Sequence, residues 1–418
     1  MTQSNSDATG SDANEARLPR RDWILLPILG LLTIASVVAS SELIARLMFP
    51  RSKGSIYDCA LDKSIGMRGL PNAVCRGGNN RDTPSVEYRL NSCGNRAGME
   101  CGPRSAGAYR IVMIGSSTAL GESVPMDKTI AGLLPQEISL RAARRVELYN
   151  EGMWSEIPNV IARNFKTFQT DQPDIILWLL TPHDILADSV VPPAQNSMKS
   201  TGRYNSATVV RTGLLSRTWR FVKESLLTKP LPTAVAELWQ HVLDDYGTPP
   251  SITLLRHSLY ESQSLYVQAA LKQENDEGFL RTDLSPEWKK SLRAFDDDAN
   301  ELQAQANAAG IPLVVFLLPD RAQVAMISMG QWPSGFDPYQ LDNELRATIT
   351  SHGGTYVDIL PDFRGLPDPE QYYFPVDGHP DARGHAIISG FLAKQLTSGA
   401  VPALKANPKP QEAPQKGR

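Results

Sequence analysis

Short apolar runs alternate with amphipathic segments from Tyr109 to the C-terminal region of the chain. The runs are YRIVMIG (109–115), VELYN (146–150), DIILWLL (174–180), IPLVVFLLP (311–319) and TYVDIL (355–360). Each has the length of a strand, and a continuous apolar run predicts a strand that is buried on both faces. Helical spacing follows in IPNVIARNFKTF, in residues 285–310 and in residues 382–396. The pattern predicts an α/β domain over residues 109–398, with a mostly parallel sheet between two layers of helices.

A helical insertion interrupts this alternation between residues 190 and 285. Three amphipathic segments follow a polar loop there: LLSRTWRFVKESLL, TAVAELWQHVL and LLRHSLYESQSLYVQAAL. We expect these helices to form a lid over the carboxyl ends of the strands, where ligands bind in such sheets. The next helix has clear end signals, because Ser285 is a good N-cap, Pro286 suits the first turn and Gly310 suits the C-terminal end. Residues 399–418 have no apolar period and are predicted to be a disordered tail.

The N-terminal region has the pattern of a membrane anchor. Residues 1–20 are rich in Ser, Asn, Asp and Ala and are predicted to be a disordered cytoplasmic tail. No charged residue occurs from Trp23 to Ser41, and a helix of that length rises roughly 28 Å, about the thickness of a bilayer core. Arginines before the span place the N-terminus in the cytoplasm by the positive-inside rule. We therefore predict a transmembrane anchor over residues 21–48.

The alternative is a cleaved signal peptide, with Ala39-Ser40-Ser41 as its cleavage site. The apolar run is long for a signal peptide, and LIARLMFP (43–50) continues it on one helical face, which favours an uncleaved anchor. The prediction is a single-pass protein of the bacterial inner membrane whose body lies on the periplasmic side.

All four cysteines lie in the lead-in between the anchor and the α/β domain, residues 49–108. An extracytoplasmic location allows them to form disulfides, and three pairings are compatible with Cys59, Cys75, Cys93 and Cys101. The local pairing is Cys59–Cys75 with Cys93–Cys101. No CxxC pair occurs, which argues against zinc, and we expect neither a metal nor a cofactor. The net charge of −3 argues against nucleic acid as a partner.

A candidate nucleophile follows the first predicted strand. The segment IVMIGSSTALGESVP places Ser117 on a turn between strand and helix, where a hydroxyl is exposed and the serine N–H faces a developing oxyanion. A serine at this position also suits a plain helix N-cap, and this segment alone does not separate the two roles.

A candidate base and acid lie near the C-terminal end of the domain. Among six histidines, His379 differs because Asp377 precedes it by two residues, in a loop between the fifth strand and the last helix. That loop and Ser117 are at the same edge of the predicted sheet. Asp377 can therefore accept from one ring nitrogen of His379 while the other nitrogen faces Ser117, as in a Ser-His-Asp triad. His385, in the following helix, is more simply a packing residue.

Four segments in chain order resemble the blocks of the SGNH (GDSL-type) hydrolase superfamily: GSSTALG, NEG, TPHD and DGHP. The lead-in YRLNSCGNRAGMECGPRSAGAYRIVMIGSS resembles that of exported members. The resemblance covers roughly residues 85–190 and 290–396, and it implies a flavodoxin-like three-layer α/β/α fold. It also implies Ser117 as nucleophile, His379 as base and the Gly152 N–H as an oxyanion donor, although Gly152 is equally suited to a turn after a strand.

The sequence departs from the family pattern at three places. Ser116 replaces the usual aspartate, and His183 takes the asparagine position of Gly-x-Asn-Asp. A neutral imidazole can donate to an oxyanion, so His183 either takes that role or caps the strand end. The third departure is the spacing of Asp377 and His379, which resembles that of alginate-type acetyltransferases. Tyr372, Tyr373 and Phe374 lie just before this pair and are either sugar-stacking or core residues.

The sequence therefore predicts an anchored, periplasm-facing serine esterase or O-acyltransferase. Its expected partner is an acylated carbohydrate or a small ester, with acetyl as the expected acyl group. The alternative is a catalytically degenerate SGNH scaffold that binds carbohydrate or assembles an envelope complex.

Overall fold

A computed structural model of the chain describes the following residues: 21–49, 56–59, 69–78, 82–154, 156–188, 249–272 and 277–405. The predicted tail 1–20, the first two segments of the insertion, and residues 406–418 lie outside the described residues.

Five parallel strands form the central sheet. They are β3 (Tyr109–Gly115), β4 (Val146–Asn150), β5 (Ile175–Leu180), β6 (Leu313–Leu317) and β7 (Thr355–Tyr356), in the spatial order β4-β3-β5-β6-β7. In chain order this is 2-1-3-4-5, the flavodoxin-like arrangement. Every residue of β3, β4, β5 and β6 is buried, which explains why these strands appear in the sequence as continuous apolar runs. The predicted mostly parallel sheet is confirmed.

Helices cover both faces of the sheet. On one face α3 (Ile130–Ala142) packs against the last helix, α12 (Ala382–Gln395). On the other, α9 (Pro286–Ala309) packs against the other helices of that layer: α4 (Pro158–Arg163), α5 (Phe165–Thr170), α6 (Pro182–Asp188) and α11 (Gln340–Ser351). The predicted ends of α9 are correct: the Ser285 hydroxyl accepts from the Trp288 N–H at 3.2 Å, and Gly310 is left-handed with φ 67°.

Three predicted elements differ from the structure. The fifth strand was expected over 355–360 but ends at Tyr356, because Asp358 accepts from the Leu360 N–H at 2.8 Å and turns the chain into a helical turn. The third insertion segment is two helices, α7 (Pro250–Tyr260) and α8 (Gln263–Ala270), because the backbone at Ser262 is extended. The tail expected from 399 is ordered as far as 405, since Leu404 is fully buried against the domain.

The lead-in has more structure than its sequence suggested. Strands β1 (Val74–Gly77) and β2 (Val86–Arg89) form an antiparallel hairpin. Disulfides join Cys59 to Cys75 and Cys93 to Cys101, which is the local pairing. The hairpin forms a second apolar cluster with the turn after β3 and the loop after β4, made of Cys59, Cys75, Val86, Tyr88, Leu90, Leu120, Met153 and Trp154. The lead-in is thus packed against the sheet edge where the site lies.

The N-terminal helix α1 (Asp22–Met48) is long and apolar enough to cross a membrane or to act as a signal sequence, and none of its apolar stretch is buried. Its last turns contact α7. Glu42 accepts from the Ser251 N–H at 3.2 Å, and the rings of Phe49 and His257 lie 5.3 Å apart. The remaining elements are α2 (Ser117–Leu120), in the site, and α10 (Arg321–Met329), which follows β6 and packs against α8.

Candidate active site

The turn after β3 presents Ser117. The strand ends at Gly115, Ser116 has a non-helical backbone, and Ser117 begins the one-turn helix α2. Gly121 ends this helix with φ 80°, and a Cβ there would collide with the side chain of Thr129. A glycine is therefore required at 121 both for the left-handed backbone and for the close approach of α3. The result is a tight turn with a half-buried hydroxyl at the carboxyl end of the strand.

The structure brings Ser117, His379 and Asp377 together. The Ser117 Oγ lies 2.7 Å from His379 Nε2, and His379 Nδ1 lies 2.6 Å from Asp377 Oδ1. Asp377 also accepts from the His379 backbone N–H at 3.2 Å, so the short spacing of the two residues allows one carboxylate to hold both the ring and the backbone. The side chain of Asp377 is 1% exposed and that of His379 is 23% exposed. A hydroxyl, an imidazole and a buried carboxylate thus form a continuous chain of hydrogen bonds.

The charges around His379 favour its protonated form. Burial alone lowers the pKa of an imidazole, but the carboxylates of Asp377, Glu122 and Asp184 outweigh that effect and raise the pKa of His379 to about 9. At neutral pH the ring is therefore mostly an imidazolium. It becomes a base as the pH rises toward that value.

Glu122 is a carboxylate that the sequence analysis missed. Its side chain is 4% exposed, its Oε2 lies 3.9 Å from His379 Nε2, and its backbone N–H donates to the Ser117 carbonyl at 3.0 Å. Burial raises the pKa of Glu122 to about 7, and the positive His379 opposes the rise. Glutamate five residues after a candidate nucleophile has no local sequence signal, because the fold of the turn brings it back to the imidazole.

The three expected oxyanion donors, Ser117, Gly152 and His183, have different surroundings in the structure. The Gly152 N–H donates to Asn150 Oδ1 at 3.0 Å, so in this conformation it serves the loop after β4. The same Asn150 donates to the Ala119 carbonyl at 2.9 Å, and a Cβ on Gly152 would lie 2.7 Å from the Ala119 Cβ. Glycine at 152 is thus required by close packing against α2. Ser117 is the first residue of α2, so its N–H has no acceptor within that helix.

His183 is exposed near the start of α6. The end of β5 is capped by Asp184 and not by His183: the Asp184 Oδ2 accepts from the Thr181 N–H at 2.7 Å. Asp184 is 2% exposed and also hydrogen-bonds to the Ser116 side chain. Burial raises the pKa of Asp184, against the lowering effect of these hydrogen bonds. A buried carboxylate from α6 therefore supports the turn that carries Ser116 and Ser117.

The lead-in contacts both parts of the candidate triad. Asp82 Oδ2 accepts from the backbone N–H groups of Val376 and Asp377, at 2.9 and 3.3 Å. Arg96, which is fully buried, donates to three carbonyls of the nucleophile turn, those of Leu120, Gly121 and Val124. These are non-local contacts, so the sequence did not reveal them.

The three aromatic residues before Asp377 differ in burial. Tyr373 is buried and its hydroxyl donates to the Pro319 carbonyl at 3.0 Å, so it is a core residue. Tyr372 and Phe374 are half-buried. The Arg321 guanidinium links the insertion to this loop, since it donates to the carbonyls of Tyr260 and, at 2.8 Å, of Pro375. The described part of the insertion thus borders the triad loop.

His385 is buried in α12, where its Nδ1 accepts from the Ile130 N–H at 3.2 Å. This contact agrees with a packing role, and burial lowers the pKa of His385 to about 3. Among the residues that the structure describes, no group of three His, Cys, Asp or Glu side chains is placed to hold a metal ion.

Comparison with known proteins gives weak likenesses only. No family model matches the sequence, and no curated protein matches it. Among solved structures, the chain is similar to LAE5, an α/β hydrolase from the metagenome of Lake Arreo in Spain, with 13% identity and a TM-score of 0.35 over 71% of this chain and 97% of that one. A lipase/acylhydrolase from Enterococcus faecalis has 10% identity and a TM-score of 0.33, over 69% and 95% of the two chains. The lipase Lip_vut3 from a goat rumen metagenome has 10% identity and a TM-score of 0.29, over 69% and 98%. These values assign no activity to the chain.

Proposed function

We propose that this protein is a serine esterase or O-acyltransferase in which Ser117 is the nucleophile, His379 the base and Asp377 the residue that orients the base. The observation that carries the proposal is the hydrogen-bond chain of 2.7 and 2.6 Å from hydroxyl through imidazole to carboxylate. A serine hydroxyl is inert unless a base takes its proton. His379 in its neutral form is such a base, and Asp377 holds the proton on Nδ1 so that Nε2 faces Ser117.

The reaction has two halves. Ser117 Oγ attacks the ester carbonyl while His379 Nε2 takes the hydroxyl proton, and the imidazolium then gives that proton to the departing alkoxide. The tetrahedral oxyanion forms next to the Ser117 N–H, with Gly152 joining if its N–H leaves Asn150. The acyl group then stays on Ser117 until water or a second hydroxyl, activated by the same imidazole, takes it away. Water makes the protein an esterase, and a sugar hydroxyl makes it an acyltransferase.

The test is hydrolysis of a small acetyl ester by the full-length protein in detergent. Ser117→Ala and His379→Ala are each expected to lower kcat by at least about 10³-fold. The thermal midpoint of Ser117→Ala should stay that of the wild type, because a half-buried turn hydroxyl contributes little to the core. Wild-type hydrolysis by Ser117→Ala would contradict the proposal.

We propose further that the substrate is an acylated carbohydrate, with acetyl as the acyl group, outside the cytoplasm of a bacterium. An apolar N-terminal helix followed by two disulfides supports an anchored, periplasm-facing body in the inner membrane. A C-terminal fusion to a phosphatase that matures only in the periplasm should be active. Incubation with an acetyl donor and a soluble oligosaccharide then separates the two activities, since a transferase yields the acetylated sugar and an esterase yields acetate alone.

A second candidate function is a non-catalytic, carbohydrate-binding or assembly scaffold. The observation in its favour is the oxyanion site, where the Gly152 N–H donates to Asn150 and His183 is exposed. Binding of oligosaccharide with the same affinity by wild type and Ser117→Ala, without turnover of any ester, would favour the scaffold.

A further inference from the structure

Two carboxylates face opposite nitrogens of the same imidazole. Asp377 contacts Nδ1 at 2.6 Å, as a triad requires, and Glu122 lies 3.9 Å from Nε2, the nitrogen that also contacts Ser117. A triad needs the first carboxylate only. The second therefore calls for an explanation of its own.

The surroundings of Glu122 do not explain its burial structurally. A carboxylate buried for stability normally has both oxygens satisfied by hydrogen bonds or by a cation. Among the described residues, the Oε1 of Glu122 has no hydrogen-bond partner. The charge of Arg96 acts on Glu122, but the Arg96 guanidinium donates to three backbone carbonyls and stacks over the Tyr88 ring at 4.3 Å. The Trp154 side chain hydrogen-bonds to the carboxylate but is neutral, so among the neighbouring charged groups His379 does most to favour the ionised form of Glu122.

We propose that Glu122 is a second carboxylate partner of the His379 imidazole and acts as a positioning residue that stabilises the imidazolium formed when the base takes the Ser117 proton. This inference rests on the proposed triad. Glu122 does not touch the reacting atoms and works through the base. Its low exposure strengthens the effect, because a charge at 3.9 Å acts more strongly in a buried site than in water.

Several other charged groups act on the same cluster. His379 is faced by Asp377 from its own loop, by Glu122 from the turn after α2 and by Asp184 from α6. Glu122 is also faced by the cation of Arg96.

Two buried neighbours complete the cluster. The Tyr88 hydroxyl, from β2, stays neutral because burial raises its pKa to about 12. His385, from α12, stays neutral at physiological pH because burial lowers its pKa to about 3. Neither neighbour therefore adds a charge to the cluster at neutral pH, and Glu122→Gln removes one carboxylate from the surroundings of the base.

The experiment compares wild type with Glu122→Gln as full-length protein in detergent micelles. The first measurement is a nuclear magnetic resonance titration of the His379 ring, assigned by its loss in a His379→Gln variant. We expect the pKa of His379 to fall by about one unit or more in Glu122→Gln, the usual effect of one opposite charge at this distance. Asp127→Asn, which removes an exposed carboxylate five residues further on, is the matched control and should leave the titration unchanged.

The second measurement is the pH profile of kcat/KM for a small acetyl ester. The acid limb should move to lower pH by the same amount as the ring titration, and Glu122→Asp should restore part of the shift. Loss of activity without a shift in either profile would mean that Glu122 is merely structural and would overturn the inference. If Glu122→Gln does not fold, the ring titration of the wild type tests the inference, because a second carboxylate partner should hold the pKa of His379 above that of an ordinary imidazole. A pKa of His379 below about 7 would overturn the inference.

The two measurements separate the inference from the proposed function. The ring titration needs no substrate, so it tests the Glu122–His379 interaction even if no ester is hydrolysed. Hydrolysis that survives in Ser117→Ala contradicts the triad, whereas a Ser117-dependent reaction with an unmoved ring titration contradicts only the role of Glu122.

Discussion

Asp82 gives the sharpest test of whether the lead-in is part of the active site. Its carboxylate accepts from the N–H groups of Val376 and Asp377, in the loop that carries the triad acid. Asp82→Ala would leave both amides without this acceptor. The residue is nearly 300 positions from the loop, so no local effect of the substitution reaches the triad.

The expected loss of stability follows from the two hydrogen bonds and from the cost of burying the Asp82 carboxylate. A hydrogen bond to a charged group contributes about 1.5–3 kcal/mol, and the bond of 3.3 Å contributes less than the one of 2.9 Å. Burial of the Asp82 carboxylate raises its pKa, and the negative Asp377 adds to the rise, so its charge is held at a cost. We therefore expect Asp82→Ala to lower the free energy of unfolding by about 1–3 kcal/mol net.

The assay pairs thermal unfolding with kinetics on a small acetyl ester. The thermal midpoint should fall by a few degrees, and kcat should fall by about tenfold or more, because small displacements of catalytic groups are costly. Glu87→Gln is the matched control: Glu87 lies on the same hairpin, is half-exposed and pairs with Arg89 of its own strand. Its effect should stay within about 0.5 kcal/mol. Wild-type kcat and stability in Asp82→Ala would refute the view that the lead-in holds the triad loop.

Three further predictions concern single residues. Gly152→Ala should destabilise the protein by about 1–3 kcal/mol and lower kcat, since its Cβ would lie 2.7 Å from that of Ala119, whereas Gly390→Ala, with its nearest atom at 3.7 Å, should not; equal urea midpoints would contradict this. His183→Ala should leave the thermal midpoint unchanged and kcat within tenfold, because the side chain is exposed, and a loss of about 10²–10³ would instead identify an oxyanion donor. Because burial lowers the pKa of His385 to about 3, the folded state resists its protonation, so stability present above pH 6.5 should be lost as the pH falls toward 3. Urea midpoints at several pH values measure this loss, and His385→Gln should lack part of it.

The sheet could be predicted from the sequence because its signal is local. Strands β3 to β6 are buried on both faces, and burial of every residue produces a continuous apolar run. The strand β7 is shorter than predicted: Val357, Ile359 and Leu360 are also buried, although Val357 and Ile359 follow the strand and Leu360 begins a helical turn. Apolar character reports burial and does not distinguish a strand from a buried turn.

The candidate triad could also be predicted from the sequence, because its residues lie close to recognisable element ends. Ser117 comes two residues after the end of β3, and the Asp377–His379 pair shortly precedes the last helix. The residues that support the candidate triad could not be predicted from the sequence. Glu122 and Asp82 meet the imidazole loop across more than 250 residues of sequence, and neither has a neighbour in the chain that marks its role.

Covalent labelling of the full-length protein with a fluorophosphonate tests the central claim most directly. The reagent reacts with a serine only when a base takes its proton and an oxyanion site accepts the developing charge. Peptide mapping should find the adduct on Ser117, with faster labelling as the pH rises toward 9. Ser116→Ala should keep the adduct, and Ser117→Ala and His379→Ala should lose it. No adduct on Ser117 in the folded wild-type protein, or an adduct that persists in His379→Ala at the wild-type rate, would contradict the account.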